Sequence, residues 1–239
     1  MTNDRPYVIC LMQISVDAKI KIDRWPDPDG AEGEYERVHD MHRADAWLCG
    51  RVTMAYFART QPKRSRLRIP VGAIPKKVDF VAAGGKGDSY AVAVDAGGKL
   101  KWRSNDVNGD RLIVLLSSRV SPAYLANLRA RQISYLVSTG DRIDFPSALA
   151  KLRKYFGIKR LMLEGGGRIN ASLLHAGLID ELSLLLSPVI DGSSATTGLI
   201  ETDLGRKRLK AKGLRLIGIA KRPGGVLWLR YRVINSPTR

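Results

Sequence analysis

The sequence predicts an α/β protein: a mostly parallel central sheet flanked by helices, finishing in antiparallel strands. Three observations predict it. Short, continuous apolar runs recur along the chain, as they do in strands buried on both faces of a parallel sheet. Segments with an apolar stripe at helical spacing separate these runs through the middle of the chain. Consecutive strands then close the sequence, the last alternating apolar and polar residues. Strand–helix alternation followed by a run of strands suits this layered arrangement.

Tyr7–Ile14 is the first apolar run, and Ala18–Ile22 is a short extended piece behind it. Pro26–Gly30 is a turn cluster. Glu32–His42 carries Tyr35, Val38 and Met41 at three-residue spacing, which predicts a helix with one apolar stripe. Ala46–Cys49 is a second buried strand closed by Gly50, and Val52–Ala58 resumes as a helix. Thr60–Pro75 reads as a basic, irregular connection. Val78–Ala82 and Ala91–Val94 read as strands on either side of the glycine-rich loop Gly84–Gly87. Arg111–Leu116 is the clearest buried strand. Ser121 is placed to cap a helix over Pro122–Arg131, with Pro122 in its first turn. Ile133–Val137 is a strand and Phe145–Phe156 a helix. Lys159–Leu163 is a strand running into Glu164-Gly165-Gly166-Gly167, and Ile169–Ala176 is a helix stopped by Gly177. Leu182–Leu186, Leu214–Ala220 and Val226–Val233 are the final strands.

A sheet of this kind can occupy all 239 residues as one domain, and no stretch reads as a linker. The longest apolar candidate, Leu182–Ile190, is broken by Ser183, Ser187 and Pro188 and falls short of the ~18–20 residues of a membrane helix. Met1–Pro6 is polar and lacks the apolar region of a secretory signal. Cys10 and Cys49 sit inside apolar strands and read as reduced core thiols. His39 and His42, three apart on a polar helix, read as surface residues, and no Cys/His grouping has metal spacing. A cytoplasmic protein without a metal is expected.

Forty Lys and Arg against 23 Asp and Glu give a formal charge of +17, so the partner is expected to be negative. The basic residues gather in Arg59–Lys77 (Arg64, Arg66, Arg68, Lys76, Lys77) and in Arg206–Arg222. Neither cluster interleaves aromatics for base stacking, and neither matches an RNA-recognition, zinc-finger or helix-turn-helix signature. A basic nucleic-acid-binding protein therefore stands only as a competing reading. An anionic, phosphate-bearing small molecule suits the charge equally well.

Open α/β sheets bind ligands beyond the carboxyl ends of their strands. Three such ends here carry residues suited to phosphates. Cys49-Gly50-Arg51-Val52-Thr53 offers close backbone approach, a helix start and a guanidinium. Leu116-Ser117-Ser118-Arg119 offers two hydroxyls and a guanidinium, suited to a phosphomonoester such as the 2′-phosphate of NADPH. Glu164-Gly165-Gly166-Gly167 is a glycine-rich strand-to-helix turn able to cradle a pyrophosphate. The spacing is not Gly-x-Gly-x-x-Gly within a first βαβ unit, which argues against an ordinary Rossmann dehydrogenase. Asp17, Lys19 and Glu164 are the titratable groups at these ends, and Glu164 is the leading proton donor. Trp25, Trp47, Trp102 and Trp228 read as packing residues, with Trp25 also placed to roof a pocket.

The order Gly50-Arg51-x-Thr53, Leu116-Ser117-Ser118, Gly165-Gly166-Gly167 resembles the nucleotide-contacting segments of dihydrofolate reductases. Arg5–Val8 through Ser15–Ile20, and Glu164–Leu182 running on to Ser187–Ile190, resemble the pyrimidine reductases of riboflavin biosynthesis. The resemblance implies a dihydrofolate-reductase-like fold, a homodimer, and NADPH-dependent hydride transfer to a C=N or C=O group. The implied substrate is 5-amino-6-(5-phosphoribosylamino)uracil or a related pyrimidine. By position, Ser15, Asp17 and Lys19 would lie beside nicotinamide and substrate, and Glu164 would face the substrate. Gly50, Arg51, Thr53, Ser117, Ser118, Arg119, Gly165, Gly166 and Gly167 would hold the cofactor. Two departures bear on this. Ala18 stands where the family commonly has glycine, and Met54–Arg59 replaces an acidic, Asp-Pro-containing segment with an arginine. The second departure keeps a pterin or other heterocycle as an alternative substrate. The chain has no zinc-deaminase signature.

Overall fold

A computed structural model describes residues 4–20, 23, 25–26, 30–62, 77–83, 89–202 and 211–235. The elements in chain order are β1 (Tyr7–Ile14), α1 (Glu34–Met41), β2 (Ala46–Gly50), α2 (Arg51–Thr60), β3 (Tyr90–Val94) and β4 (Asp106–Val107). They continue with β5 (Asp110–Leu116), α3 (Pro122–Ala130), β6 (Ser134–Val137), α4 (Phe145–Phe156), β7 (Arg160–Leu163), α5 (Gly167–His175), β8 (Glu181–Leu186), β9 (Gly213–Lys221) and β10 (Leu227–Ile234). The chain divides into two compact units: Met1–Pro6 with Asp45–Lys159, and Tyr7–Ala44 with Arg160–Arg239.

In the first unit, β2, β3, β5 and β6 form a parallel ladder in that order, and the short β4 joins β5 antiparallel. These strands are apolar on both faces: every residue of β2 is buried, as are Leu112–Leu116 of β5. Helix α4 buries Ala148, Leu149, Leu152 and Phe156, one stripe at helical spacing. Its start is fixed by Asp144, which accepts from Ser147 N at 3.2 Å, and Gly157 ends it at φ 72°. Ser121 caps α3 as expected, accepting from Tyr124 N.

Two local expectations change here. Val78–Ala82 is not a strand; it makes a single bridge, Phe80 to Tyr135. The Asp79 carboxylate takes the Val137 N–H at 2.8 Å and pairs with Lys151 at 2.9 Å, so a side chain holds what a backbone ladder would. The unforeseen β4 arises from Asn108-Gly109, both at positive φ (54° and 93°), the dipeptide that turns a tight hairpin.

In the second unit β1 lies between β7 and β8, parallel to both. β10 then pairs antiparallel with β8, and β9 antiparallel with β10, as the closing strands predict. Helix α1 corrects the expected stripe. Met41 is exposed, and the buried face is Glu34, Val38 and His42. Two of these three are polar, and each is matched by partners. Glu34 pairs with Arg37 and Arg222, both at 2.6 Å. His42 Nε2 lies 2.9 Å from Ser183 Oγ, and its ring stands edge-on to Trp228. An apolar-periodicity reading passes over such a face, so His42 is a buried residue and not the surface residue expected.

Cys10 and Cys49 are buried, and neither is in a disulfide. Among the described residues no helix is long and apolar enough to cross a membrane, and no His/Cys/Asp/Glu group could hold a metal. The Gly84–Gly87 loop, Arg64, Arg66, Arg68 and Lys76, and the basic residues Arg206–Lys210 lie outside the described residues.

Candidate active site

Beyond the end of β1, Ser15 is buried and its hydroxyl ties a turn together. Oγ donates to Asp17 Oδ1 at 2.6 Å and accepts from Lys19 N at 3.0 Å. The Asp17 carboxylate also accepts from the backbone N–H groups of Asp191 and Gly192, both at 3.0 Å. The Ser15 hydroxyl and these N–H groups hold its pKa down at about 2, so it is a fixed anion. Asp191 accepts from Trp25 Nε1 and Thr196 Oγ1, both at 2.8 Å, which hold its carboxyl below the usual range. Trp25 is thus braced against this loop. Lys19 bridges to Gly198 through its backbone, and its Nζ lies 3.4 Å from Thr196 O. Ala18 takes φ 58°, the left-handed conformation that glycine adopts more readily.

The end of β7 in the same unit presents Glu164. Its side chain is 12% exposed, and Oε1 lies 2.6 Å from His39 Nδ1, on α1. Burial, with the Glu164 charge adding to it, pushes the neighbouring Cys10 thiol up to about 12. The three glycines after Glu164 do different things. A Cβ on Gly165 would crowd Ile169 at 3.2 Å. A Cβ on Gly167 would overlap the Gly198 carbonyl oxygen and press on Glu201. Gly166 faces open space and starts α5 with no side-chain cap and no acidic residue in the first turn. Unpaired N–H groups at such a start suit a phosphate.

The first unit carries the remaining candidates. Gly50 opens α2, again without a side-chain cap or an acid in the first turn, and Arg51 and Thr53 are exposed. Ser117 is fully buried, its hydroxyl donating to Ala96 O at 2.8 Å, so it secures the 95–98 turn. Ser118 and Arg119 are drawn to one carboxylate: Ser118 Oγ donates to Asp141 at 3.1 Å and Arg119 pairs with it at 2.8 Å. Lys77 donates to Ser118 O at 2.6 Å.

The structure thus joins Ser15, Asp17 and Lys19 into one turn, sets Glu164 beside the glycines, and groups Ser118 with Arg119. Sequence reading missed His39, Asp141, Asp191 and Thr196. His39 gave no local signal, because its partner Glu164 lies 125 residues away. The others are loop residues: Asp141 meets Ser118 and Arg119, Asp191 meets Trp25, and Thr196 meets Asp191 five residues away.

Comparison with known proteins bears directly on this arrangement. Residues 6–221 match the RibD C-terminal domain. The chain belongs to that family. The 2,5-diamino-6-ribosylamino-4(3H)-pyrimidinone 5′-phosphate reductase of Methanothermobacter thermautotrophicus is 30% identical over 200 residues, 82% of this chain and 84% of the relative. Among solved structures, a pyrimidine reductase-like protein of Corynebacterium diphtheriae superposes with TM-score 0.68 at 16% identity, covering 97% of this chain and 93% of that one. RibD of Acinetobacter baumannii gives 0.64 at 18% identity, covering 98% of this chain and 59% of that one. The expected reductase fold is borne out, and this RibD-family chain is an oxidoreductase.

Proposed function

We propose that this RibD-family enzyme uses NADPH to reduce a phosphoribosylamino-pyrimidine. The first substrate to test is 2,5-diamino-6-ribosylamino-4(3H)-pyrimidinone 5′-phosphate, the compound its relatives are named for. The second is 5-amino-6-(5-phosphoribosylamino)uracil, with oxygen in place of one amino group. The observation that carries the reading is Glu164: a largely buried carboxyl at a parallel strand end, ahead of three glycines and an uncapped helix.

When bound, a dihydronicotinamide would supply a hydride to the C=N or C=O carbon of the opened sugar. The protein must then deliver a proton to the adjoining nitrogen or oxygen, and Glu164 is the group for that step. Asp17, ionised at any working pH, holds the Ser15–Lys19 turn against the 191–192 backbone and leaves the Lys19 ammonium as the local cation. Each unit holds groups that suit a nucleotide phosphate: in one, Gly50 opens a helix whose first turn lacks a cap and an acid, and in the other Gly166 does the same and leaves room for close backbone approach. Ser118, Arg119 and Lys77 supply a hydroxyl and cations for a 2′-phosphate, with Asp141 opposing it.

A homodimer is part of the proposal. Strand β9 is paired only with β10 among the described residues, and it exposes Leu214, Leu216, Ile217 and Ile219. An exposed apolar edge invites aggregation unless it is covered, and a second copy would cover it. Two buried cysteines in no disulfide suit a cytoplasmic setting. Titration of the purified protein with NADPH and NADH, followed by loss of dihydronicotinamide absorbance with each pyrimidine, tests the reading. Failure to bind either nucleotide rules it out.

A further inference from the structure

Helix α1 does not need His39 to stay in place. Val38, Glu34 with Arg37 and Arg222, and His42 with Ser183 already anchor it. Yet His39 Nδ1 approaches Glu164 Oε1 to 2.6 Å, at the short end of charge-assisted hydrogen bonds. The two side chains differ in access: His39 is 29% exposed and Glu164 12%. One member of the pair meets water, and the other stands at the strand end where the reaction is placed.

We infer that His39 is a positioning residue for Glu164, fixing its carboxyl through Oε1 and returning a proton to it after each turnover. This rests on the reading of Glu164 as the proton donor. As hydride adds to the sugar carbon, the C=N π pair moves to nitrogen, and a new N–H bond forms there as the Glu164 O–H bond breaks. The carboxylate left behind faces His39, and the pair regains one proton from water at the exposed imidazole edge. Each cycle consumes one dihydronicotinamide and one proton. Glu164 is largely buried, so a proton from solvent reaches it more readily through a partner that meets water. The His39 imidazole is that partner: it can carry a proton on one ring nitrogen while the other faces Glu164.

Two titratable neighbours among the described residues do not compete for this proton. Cys10 in β1 stays a thiol, its pKa pushed up to about 12. His42, one turn along α1, is held neutral by burial, with its pKa lowered to about 4. Tyr35 and Glu36 flank His39 along α1 at four and three residues.

The test compares wild type, His39→Asn, His39→Ala and Glu164→Gln with NADPH and the diaminopyrimidinone phosphate across a pH series. His39→Asn keeps a donor near the Nδ1 position but cannot titrate. Glu164→Gln should abolish turnover. His39→Asn and His39→Ala should lower kcat about 10- to 100-fold, with KM and NADPH affinity within about two-fold of wild type. The pH profile of kcat should change in His39→Asn, because the ionisable partner of Glu164 is gone. Histidine NMR on cofactor-free protein gives a readout without activity: the His39 midpoint should fall in Glu164→Gln. Wild-type kcat and pH profile in both His39 variants, with Glu164→Gln inactive, would overturn the inference and leave the Glu164 reading standing. Full activity in Glu164→Gln would remove both. An unchanged His39 midpoint in Glu164→Gln would break the coupling whether or not the substrate is turned over.

Discussion

Acidification should destabilise this protein well before its carboxylates titrate, and His42 is the reason. The imidazole is 5% exposed, with Ser183 Oγ 2.9 Å from Nε2 and that same hydroxyl accepting from Trp228 Nε1 at 2.8 Å. Burial lowers its pKa from 6.5 to about 4; the Arg230, Arg160 and His39 charges add to the effect, and Glu181 opposes it. A histidine with a depressed folded value binds fewer protons folded than unfolded. Stability is therefore complete above 6.5, is lost as pH falls from 6.5 toward 4, and levels off below. At 1.36 kcal/mol per pKa unit, the whole interval is worth roughly 3 kcal/mol, and about 2 kcal/mol is gone by pH 5. The perturbation is His42→Gln, which keeps a polar group near Ser183 but cannot charge. Urea unfolding of both proteins at pH 7, 6 and 5 reads the effect. Wild type should lose about 2 kcal/mol between pH 7 and 5, and His42→Gln should lose little. Equal losses in the two proteins would refute the reasoning. Asp17, Glu34, Asp141 and Asp191 have lowered pKa values, so their contributions are present above their ordinary values and vanish only in stronger acid.

Four other outcomes follow from named contacts. Ala18→Gly should raise stability by about 1 kcal/mol in a thermal melt, because alanine at φ 58° is strained and glycine is not. A lower melting temperature would show the turn to be unstrained. Gly167→Ala should destabilise by about 1–3 kcal/mol as its Cβ meets the Gly198 oxygen, whereas Gly166→Ala should fold normally and weaken dinucleotide binding. Asp141→Asn should tighten NADPH several-fold and leave NADH unchanged, since it removes the carboxylate that engages Arg119 and Ser118; equal effects on both nucleotides would place the 2′-phosphate elsewhere. Ile219→Glu should shift light-scattering mass from dimer to monomer, and an unchanged mass would exclude β9 from the interface.

The fold was largely legible because its strands are apolar on both faces and its helices carry local stop signals. β2, β5 and α4 needed no knowledge of distant residues: Asp144, Pro146 and Gly157 bracket α4 within a few positions. Apart from β4, whose Asn108-Gly109 turn is a local signal that was passed over, reading failed where a polar group is held by a partner far along the chain. Asp79 substitutes for a strand by reaching Val137 and Lys151. Glu34 and His42 occupy the buried face of α1 because Arg222 and Ser183 meet them. The candidate site divides in the same way. Glycines announce their turns locally, so Gly50 and Gly165–Gly167 were visible. His39 was not, because its partner Glu164 lies 125 residues away.

The most direct test of the account is single-turnover reduction of the diaminopyrimidinone phosphate by wild type and Glu164→Gln, each saturated with NADPH. Wild type should oxidise NADPH only when the pyrimidine is present. Glu164→Gln should bind NADPH with the same affinity and reduce the substrate at least about 100-fold more slowly. Equal rates in the two proteins would contradict the assignment of Glu164, and no NADPH oxidation by wild type with either pyrimidine would contradict the proposed reaction itself.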